Sequence, residues 1–159
     1  MIREAKASDA RSIASIYNQY ILNSTVTFEE KEVDSKTIVD RIGTNNKYKW
    51  WVFERDEILM GYAYSTKWKT RSAYRFTVES SVYVAQKYQH KGIGKALYIH
   101  LIKSLKEDGY RRILAGISLP NNKSVIFHEK LGFKKVGQLE KVGFKFKKWI
   151  DVGYWELEI

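Results

Sequence analysis

The sequence predicts an α+β sandwich, with a mixed, mostly antiparallel central sheet flanked by helices. Three observations carry this. Helical and strand periodicities follow one another as strand, two helices, three strands, helix, strand, helix, two strands. The 159 residues are the length of one domain with room for a sizeable core. No internal repeat, low-complexity tract or linker-like shift in composition interrupts them, so residues 1–159 are expected to form a single domain.

Ile2 to Ala5 reads as a short opening strand. Ser8 or Asp9 can cap a helix to about Leu22, because Ile13, Ile16, Tyr17, Tyr20 and Ile21 share one face of a 3.6-residue period. A shorter helix follows Asp34 and Ser35, with Ile38, Val39 and Ile42 inward and Gly43 at its end. Tyr48 to Glu54 and Ile58 to Trp68 are aromatic and β-branched, and the charged run Glu54-Arg55-Asp56-Glu57 suits a hairpin turn between them. Tyr74 to Ala85 is a third strand. Gly92 to Lys106 is helical, with a stripe of Leu97, Tyr98, Leu101, Ile102 and Leu105, and Gly109 closes it. Arg112 to Ser118 is an apolar strand. Pro120 and Asn121 open a helix that ends near Leu131 and Gly132. Phe133 to Leu139 and Ile150 to Leu157 supply the last two strands.

Composition narrows the chemistry. Twenty-eight Lys and Arg against 18 Asp and Glu give a net charge of +10. That excess concentrates polyanions near the surface: nucleic acid, a membrane, or a cofactor with several phosphates. The chain has no cysteine, which excludes disulfides, thiolate metal sites and cysteine nucleophiles. Three scattered histidines (His90, His100, His128) do not make a zinc site, so no metal is expected. The first residues lack the apolar run of a signal peptide, and no stretch approaches the ~20 apolar residues of a membrane span. A cytoplasmic protein is the expectation.

The segment Gln89-His90-Lys91-Gly92-Ile93-Gly94 joins a strand to a helix. Glycines let a ligand approach the backbone, and the first helical turn leaves amides unpaired at the positive end of the dipole. His90, Lys91 and Lys95 add positive charge. The features together describe a pyrophosphate cradle. It is not a Walker loop, which needs four residues between its glycines and a Lys-Ser/Thr pair after the second. Nor is it a dinucleotide fingerprint: Leu97 stands where the third glycine belongs, and Leu114 where the acidic residue would fall. A helix that merely starts with glycines is the plain alternative.

Gln-x-x-Gly-x-Gly after a Val-Tyr-Val strand resembles the acetyl-CoA signature of the GNAT N-acetyltransferases. Asn121, Ser124 and the run His128-Glu129-Lys130-Leu131-Gly132-Phe133 resemble that family's later motif, in the right order and spacing. Trp68 to Tyr74, Thr77 to Val84, Gly143 to Trp155, and Ile16-Tyr17-Asn18 through Ser24-Thr25-Val26-Thr27-Phe28 resemble its phosphinothricin and methionine sulfone acetyltransferase branch. The likeness covers nearly the whole chain. It implies the GNAT fold, acetyl-CoA as cosubstrate, an α-amine acceptor of the phosphinothricin, methionine sulfoximine or methionine sulfone type, and a homodimer. Acetylation of a protein N-terminus or another small amine is the alternative, and a basic nucleic-acid-binding module is the reading from another class. Neither nucleic acid nor membrane is the expected partner.

Acetyl transfer to an amine calls for a general base, since a free α-amine is largely protonated at neutral pH. Glu79 is the candidate: it interrupts a strand of apolar and small residues, where a carboxylate is costly to bury. Alternation puts it on one face with Ser81 and Tyr83, and Val82 and Val84 on the other. The bland reading is a sheet carboxylate paired with Arg71 or Arg75. His128 stands where many GNAT enzymes carry a tyrosine that protonates the leaving thiolate. It is expected either to do so or to assist Glu79, and a half-buried helix-face histidine is the alternative.

By the same resemblance, the amides of Val82, Tyr83 and Val84 hold the pantetheine arm. Gln89, His90, Lys91, Gly92, Ile93, Gly94 and Lys95 hold the pyrophosphate, and Asn121 and Ser124 also contact the cofactor. Asn121 is equally a natural helix cap. A guanidinium suits the acceptor's carboxylate, so Arg71 and Arg75 are candidates, with Arg75 preferred because alternation puts it on Glu79's face. Phe28 and Glu29 are expected to line the acceptor pocket. Lys141, Lys145, Lys147 and Lys148, interleaved with Phe144, Phe146 and Trp149, read either as a nucleic-acid surface or as a half-buried strand.

Overall fold

The computed structural model describes residues 1–43 and 48–159. The elements run β1 (Ile2–Glu4), α1 (Ala10–Asn23), α2 (Ser35–Gly43), β2 (Trp50–Arg55), β3 (Ile58–Lys67) and β4 (Thr77–Val84). They continue with α3 (Ile93–Glu107), β5 (Arg112–Leu119), α4 (Asn122–Lys130), β6 (Lys134–Lys145) and β7 (Lys148–Glu158). This is the order that the periodicities give. The strands form one sheet in the order β1-β2-β3-β4-β5-β7-β6. Every neighbouring pair is antiparallel except β4 and β5.

Period-two alternation divides the strands between two cores. On one face, Ile13, Ile16, Tyr17 and Ile21 of α1 and Ile38 of α2 pack on Trp50, Val52, Tyr62 and Tyr83. On the other, Leu97, Tyr98, Leu101 and Leu105 of α3 pack on Ala63, Val78, Ile113, Ala115, Ile117 and Trp155. Side chains of this size stabilise the fold by roughly 1.5–3 kcal/mol each when removed from water.

Four local expectations change. Asp9 does not cap α1. A 3-10 turn over Ala7–Asp9 comes first, and the Asp9 carboxylate instead accepts the Lys6 amide (2.7 Å) and both terminal nitrogens of Arg3 (2.8 Å each). The arginine holds its pKa below the usual carboxylate range. Val39 is exposed, because the nine-residue α2 meets its neighbours mainly along one row through Ile38. The third strand begins at Thr77, since Ser72–Tyr74 form another 3-10 turn. The strand after α4 runs to Lys145, turning through Phe146 and Lys147, both at positive φ (51° and 59°), straight into β7. The positive φ of both central residues matches the tight hairpin turn whose twist suits the flanking strands.

Candidate active site

β4 and β5 are held in parallel register only from Thr77↔Arg112 to Glu79↔Leu114. Beyond that point Ser80–Val84 and Ala115–Leu119 have no mutual pairing, and a gap opens in the middle of the sheet. The Ala85 amide donates to the Met60 carbonyl (2.9 Å), which fixes the alternation along β4. Tyr83 therefore spends its backbone groups on β3, and Val82 and Val84 turn theirs to the gap. Tyr83 is the exception among the three amides expected from the sequence. Its ring is buried among Tyr17, Tyr20 and Tyr62.

The glycine loop stands at the open end of this gap. Gly92 is left-handed (φ 78°) and precedes α3 with no side chain capping the helix. A Cβ at Gly94 would lie 3.5 Å from Val84 Cγ2, so the helix start and β4 approach closely. His90, Lys91 and Lys95 are exposed around it, whereas Ile93 is buried in the core and contributes backbone. Gln89 turns inward: its side-chain amide donates to the Tyr20 hydroxyl (3.1 Å), which itself donates to the Val84 carbonyl (2.5 Å). An uncapped helix N-terminus beside outward-facing strand amides fits an elongated thioester cosubstrate with a pyrophosphate. Acetyl-CoA has that form.

On the α1–α2 face lies a cleft of about 260 Å³, lined by Thr25, Val26 and Phe28, by Glu79 of β4, Gly116 and Ser118 of β5, Val142 of β6, and Val152 and Tyr154 of β7. Glu79 is half-buried, and among the described residues it has no ion-pair partner. Pairing with Arg71 or Arg75 is thus not what holds it. Burial pushes its carboxyl above the ordinary range, with Lys69 pulling it back in part. Gly116 makes the room: a Cβ there would lie 3.3 Å from Glu79 Oε1 and 3.4 Å from Tyr154 Cε1. A carboxylate short of partners in a cleft beside the gap can accept a proton from an amine.

His128 lies on the opposite side of the sheet, 7% exposed. Its Nδ1 is 2.8 Å from the Ser124 carbonyl, which can only accept, so Nδ1 carries the hydrogen. Nε2 then accepts from the Tyr98 hydroxyl (3.2 Å), itself 2.6 Å from Ser80 Oγ. Burial lowers the pKa of this neutral imidazole. Ser80 and Glu79 are sequence neighbours and so face opposite ways, which separates His128 from Glu79.

The other expected residues divide. Phe28 lines the cleft. Glu29 does not; it accepts from Tyr17 (3.0 Å) and pairs with Arg41 (2.8 Å), fastening the segment after α1 to α2. Arg75 falls before β4 begins, so strand alternation does not apply to it. It is exposed, donates to the Ser72 carbonyl (3.3 Å), and stacks on Phe76. Arg71 is exposed at the start of the same turn. Asn121 does cap α4, accepting the Ser124 amide at 3.1 Å. Sequence reasoning missed Thr25, Val26, Gly116, Ser118, Val142, Val152 and Tyr154. No local pattern marks them, because the cleft exists only once β5, β6 and β7 are side by side.

Residues 2–153 match the acetyltransferase (GNAT) domain family. The chain is 42% identical to a phosphinothricin N-acetyltransferase of Streptomyces viridochromogenes, over 98% of this chain and 85% of that protein. It is 31% identical to an L-methionine sulfoximine/L-methionine sulfone acetyltransferase of Salmonella typhimurium, over 99% of this chain and 94% of the other. A crystal structure of a GNAT superfamily phosphinothricin acetyltransferase from Sinorhizobium meliloti, in complex with acetyl-CoA, superposes with a TM-score of 0.95 at 34% identity, covering 100% of this chain and 88% of that one.

Proposed function

Since this chain belongs to the GNAT acetyltransferase family and is an acetyl-CoA-dependent N-acetyltransferase, we propose that its acceptor is the α-amine of a small amino acid-like molecule. Phosphinothricin, methionine sulfoximine and methionine sulfone define the class. The observation that carries this is Glu79: a half-buried carboxylate without an ion-pair partner among the described residues, lining a cleft beside the β4–β5 gap. The names of the relatives support the acceptor class.

On this reading the cosubstrate lies along the gap on the α3–α4 face, and the acceptor enters from the α1–α2 face. Acetyl-CoA supplies an acetyl thioester, whose C–S bond breaks as the new C–N bond forms. The Glu79 carboxylate takes the ammonium proton, directly or through one water, so that the nitrogen lone pair is available. The outward amides of Val82 and Val84 orient the pantetheine arm and polarise the acetyl carbonyl. The amides opening α3 at Gly92, Ile93 and Gly94 hold the pyrophosphate, with His90, Lys91 and Lys95 around it. Arg71 and Arg75 serve the acceptor's carboxylate. The second proton that the amine sheds goes to the departing sulfur; His128, on the cosubstrate side with its one hydrogen on the Ser124 carbonyl, orients the Tyr98 hydroxyl there rather than assisting Glu79. Asn121 and Ser124 set the position of His128 through the start of α4.

We further propose one domain acting as a homodimer in the cytoplasm. The edge strand β6 supports the dimer: Val136, Leu139, Val142 and Phe144 along it are each about half exposed, apolar surface that a second copy would cover. Purified protein, acetyl-CoA and a thiol reagent test the function directly. CoA release is expected with methionine sulfone, methionine sulfoximine or phosphinothricin. Absence of release across these and a panel of amino acids and polyamines refutes the acceptor class.

A further inference from the structure

Lys145 is the one buried lysine among the described residues, 2% exposed at the end of β6. Its ammonium has no carboxylate within 4.0 Å among the described residues. It donates instead to two backbone carbonyls, those of Ser24 and Thr27, at 2.8 Å each. Ser24 is the residue that ends α1, so the cation also sits at the negative end of that helix. Burying a cation is costly unless its donors are hydrogen-bonded, so the ammonium and these two carbonyls hold each other in place.

What it holds is one wall of the acceptor cleft. Residues 24–28 have no regular structure, yet Thr25, Val26 and Phe28 line the cavity together with Val142, Val152 and Tyr154. Two further contacts seat the segment. The Phe28 ring lies against the backbone of Gly143, where a Cβ would enter the ring's van der Waals shell. The Tyr17 hydroxyl is 2.7 Å from Thr27 Oγ1. We propose that Lys145 is a positioning residue, which straps segment 24–28 to the β6–β7 hairpin and so sets the width of the acceptor cleft. The inference rests on the reading of this cleft as the acceptor site. It goes beyond that reading by naming a residue, remote from the reacting atoms, that governs which acceptors fit.

The test uses the full-length protein with Lys145→Met, which keeps the stem and removes the donor, and Lys145→Arg, which keeps charge and donors. Two readouts are needed. Amide hydrogen exchange of residues 24–28 in Lys145→Met should accelerate about tenfold or more, since two charge-assisted bonds are lost, while the α3 amides keep their protection. The acceptor KM should rise about tenfold with the KM for acetyl-CoA unchanged, and Lys145→Arg should recover part of both effects. Unchanged exchange in 24–28, or parallel rises in both KM values, overturns the strap. If Lys145→Met does not fold, Lys145→Gln carries the same measurements, as it removes the charge and its shorter side chain cannot make both carbonyl bonds. If the unmodified protein acetylates none of the acceptors, the acceptor class fails, and the exchange measurement still decides the strap by itself.

Discussion

Replacing Glu79 with glutamine should slow the enzyme and, at neutral pH, leave it at least as stable. The substitution keeps shape and removes charge and basicity. A positioned general base contributes about two to four decades in rate, or about 3–5 kcal/mol of transition-state stabilisation. Stability should move the other way. Burial raises the Glu79 pKa in the folded protein, so between its unfolded and folded values the folded state binds more protons. Stability on this account is fully present below the unfolded pKa and is lost as pH rises through the folded one. Glutamine removes that loss. Thermal melts should therefore give Glu79→Gln an equal or higher Tm at pH 7, with the difference vanishing near pH 4. Initial-rate assays should show kcat/KM down about a hundredfold or more, and the acidic limb of its pH profile abolished. Full activity, or a Tm several degrees lower at pH 7, would refute the reasoning: the first denies the base, the second shows a carboxylate stabilised by partners.

Tyr20→Phe removes a hydroxyl that joins the Val84 carbonyl to Gln89. At about 0.5–1.5 kcal/mol per bond, the KM for acetyl-CoA should rise a few-fold to tenfold while the acceptor KM holds, as initial-rate kinetics will show. His128→Ala empties a buried position and takes one partner from the Tyr98 hydroxyl, which keeps Ser80, and one from the Ser124 carbonyl. Urea denaturation should report a loss of about 2–4 kcal/mol. Because burial lowers the His128 pKa, the intact protein should also lose stability as pH falls below about 6.5 toward the folded value, a dependence absent from a His128→Gln variant. Gly143→Ala drives the Phe28 ring from its seat. The acceptor KM should rise with little change for acetyl-CoA, and equal values for both would mean that Phe28 does not bound the cleft.

Much of the molecule was legible one segment at a time. The helix stripe of Leu97, Tyr98, Leu101 and Leu105 is buried as its period requires, because an α-helix places i, i+3, i+4 and i+7 on one side whatever lies opposite. Gly92 before α3, Asn121 before α4 and the alternation of Glu79 against Val82 and Val84 are local facts of backbone geometry. They placed the glycine loop at the start of α3 and the Glu79 carboxylate on one face of β4. Failures came where an element's end or neighbour mattered. Arg75 lies in a turn, not on β4, so its face could not be counted from Glu79.

The sequence by itself determined the order of elements, the glycine loop before α3, a carboxylate within an apolar strand and the family likeness, since each depends on residues close together in the chain. Tertiary structure alone decided how they meet. Parallel register between β4 and β5 stops at Glu79 and Leu114, and that termination makes the gap. The sheet order brings Gly116, Ser118, Val152 and Tyr154 around Glu79. Lys145, which reads as one charge in a basic tail, becomes a buried donor to residues more than a hundred positions earlier. Such pairings carry no local signal, because a side chain's partner across the sheet is set by strand order and register rather than by its neighbours in sequence.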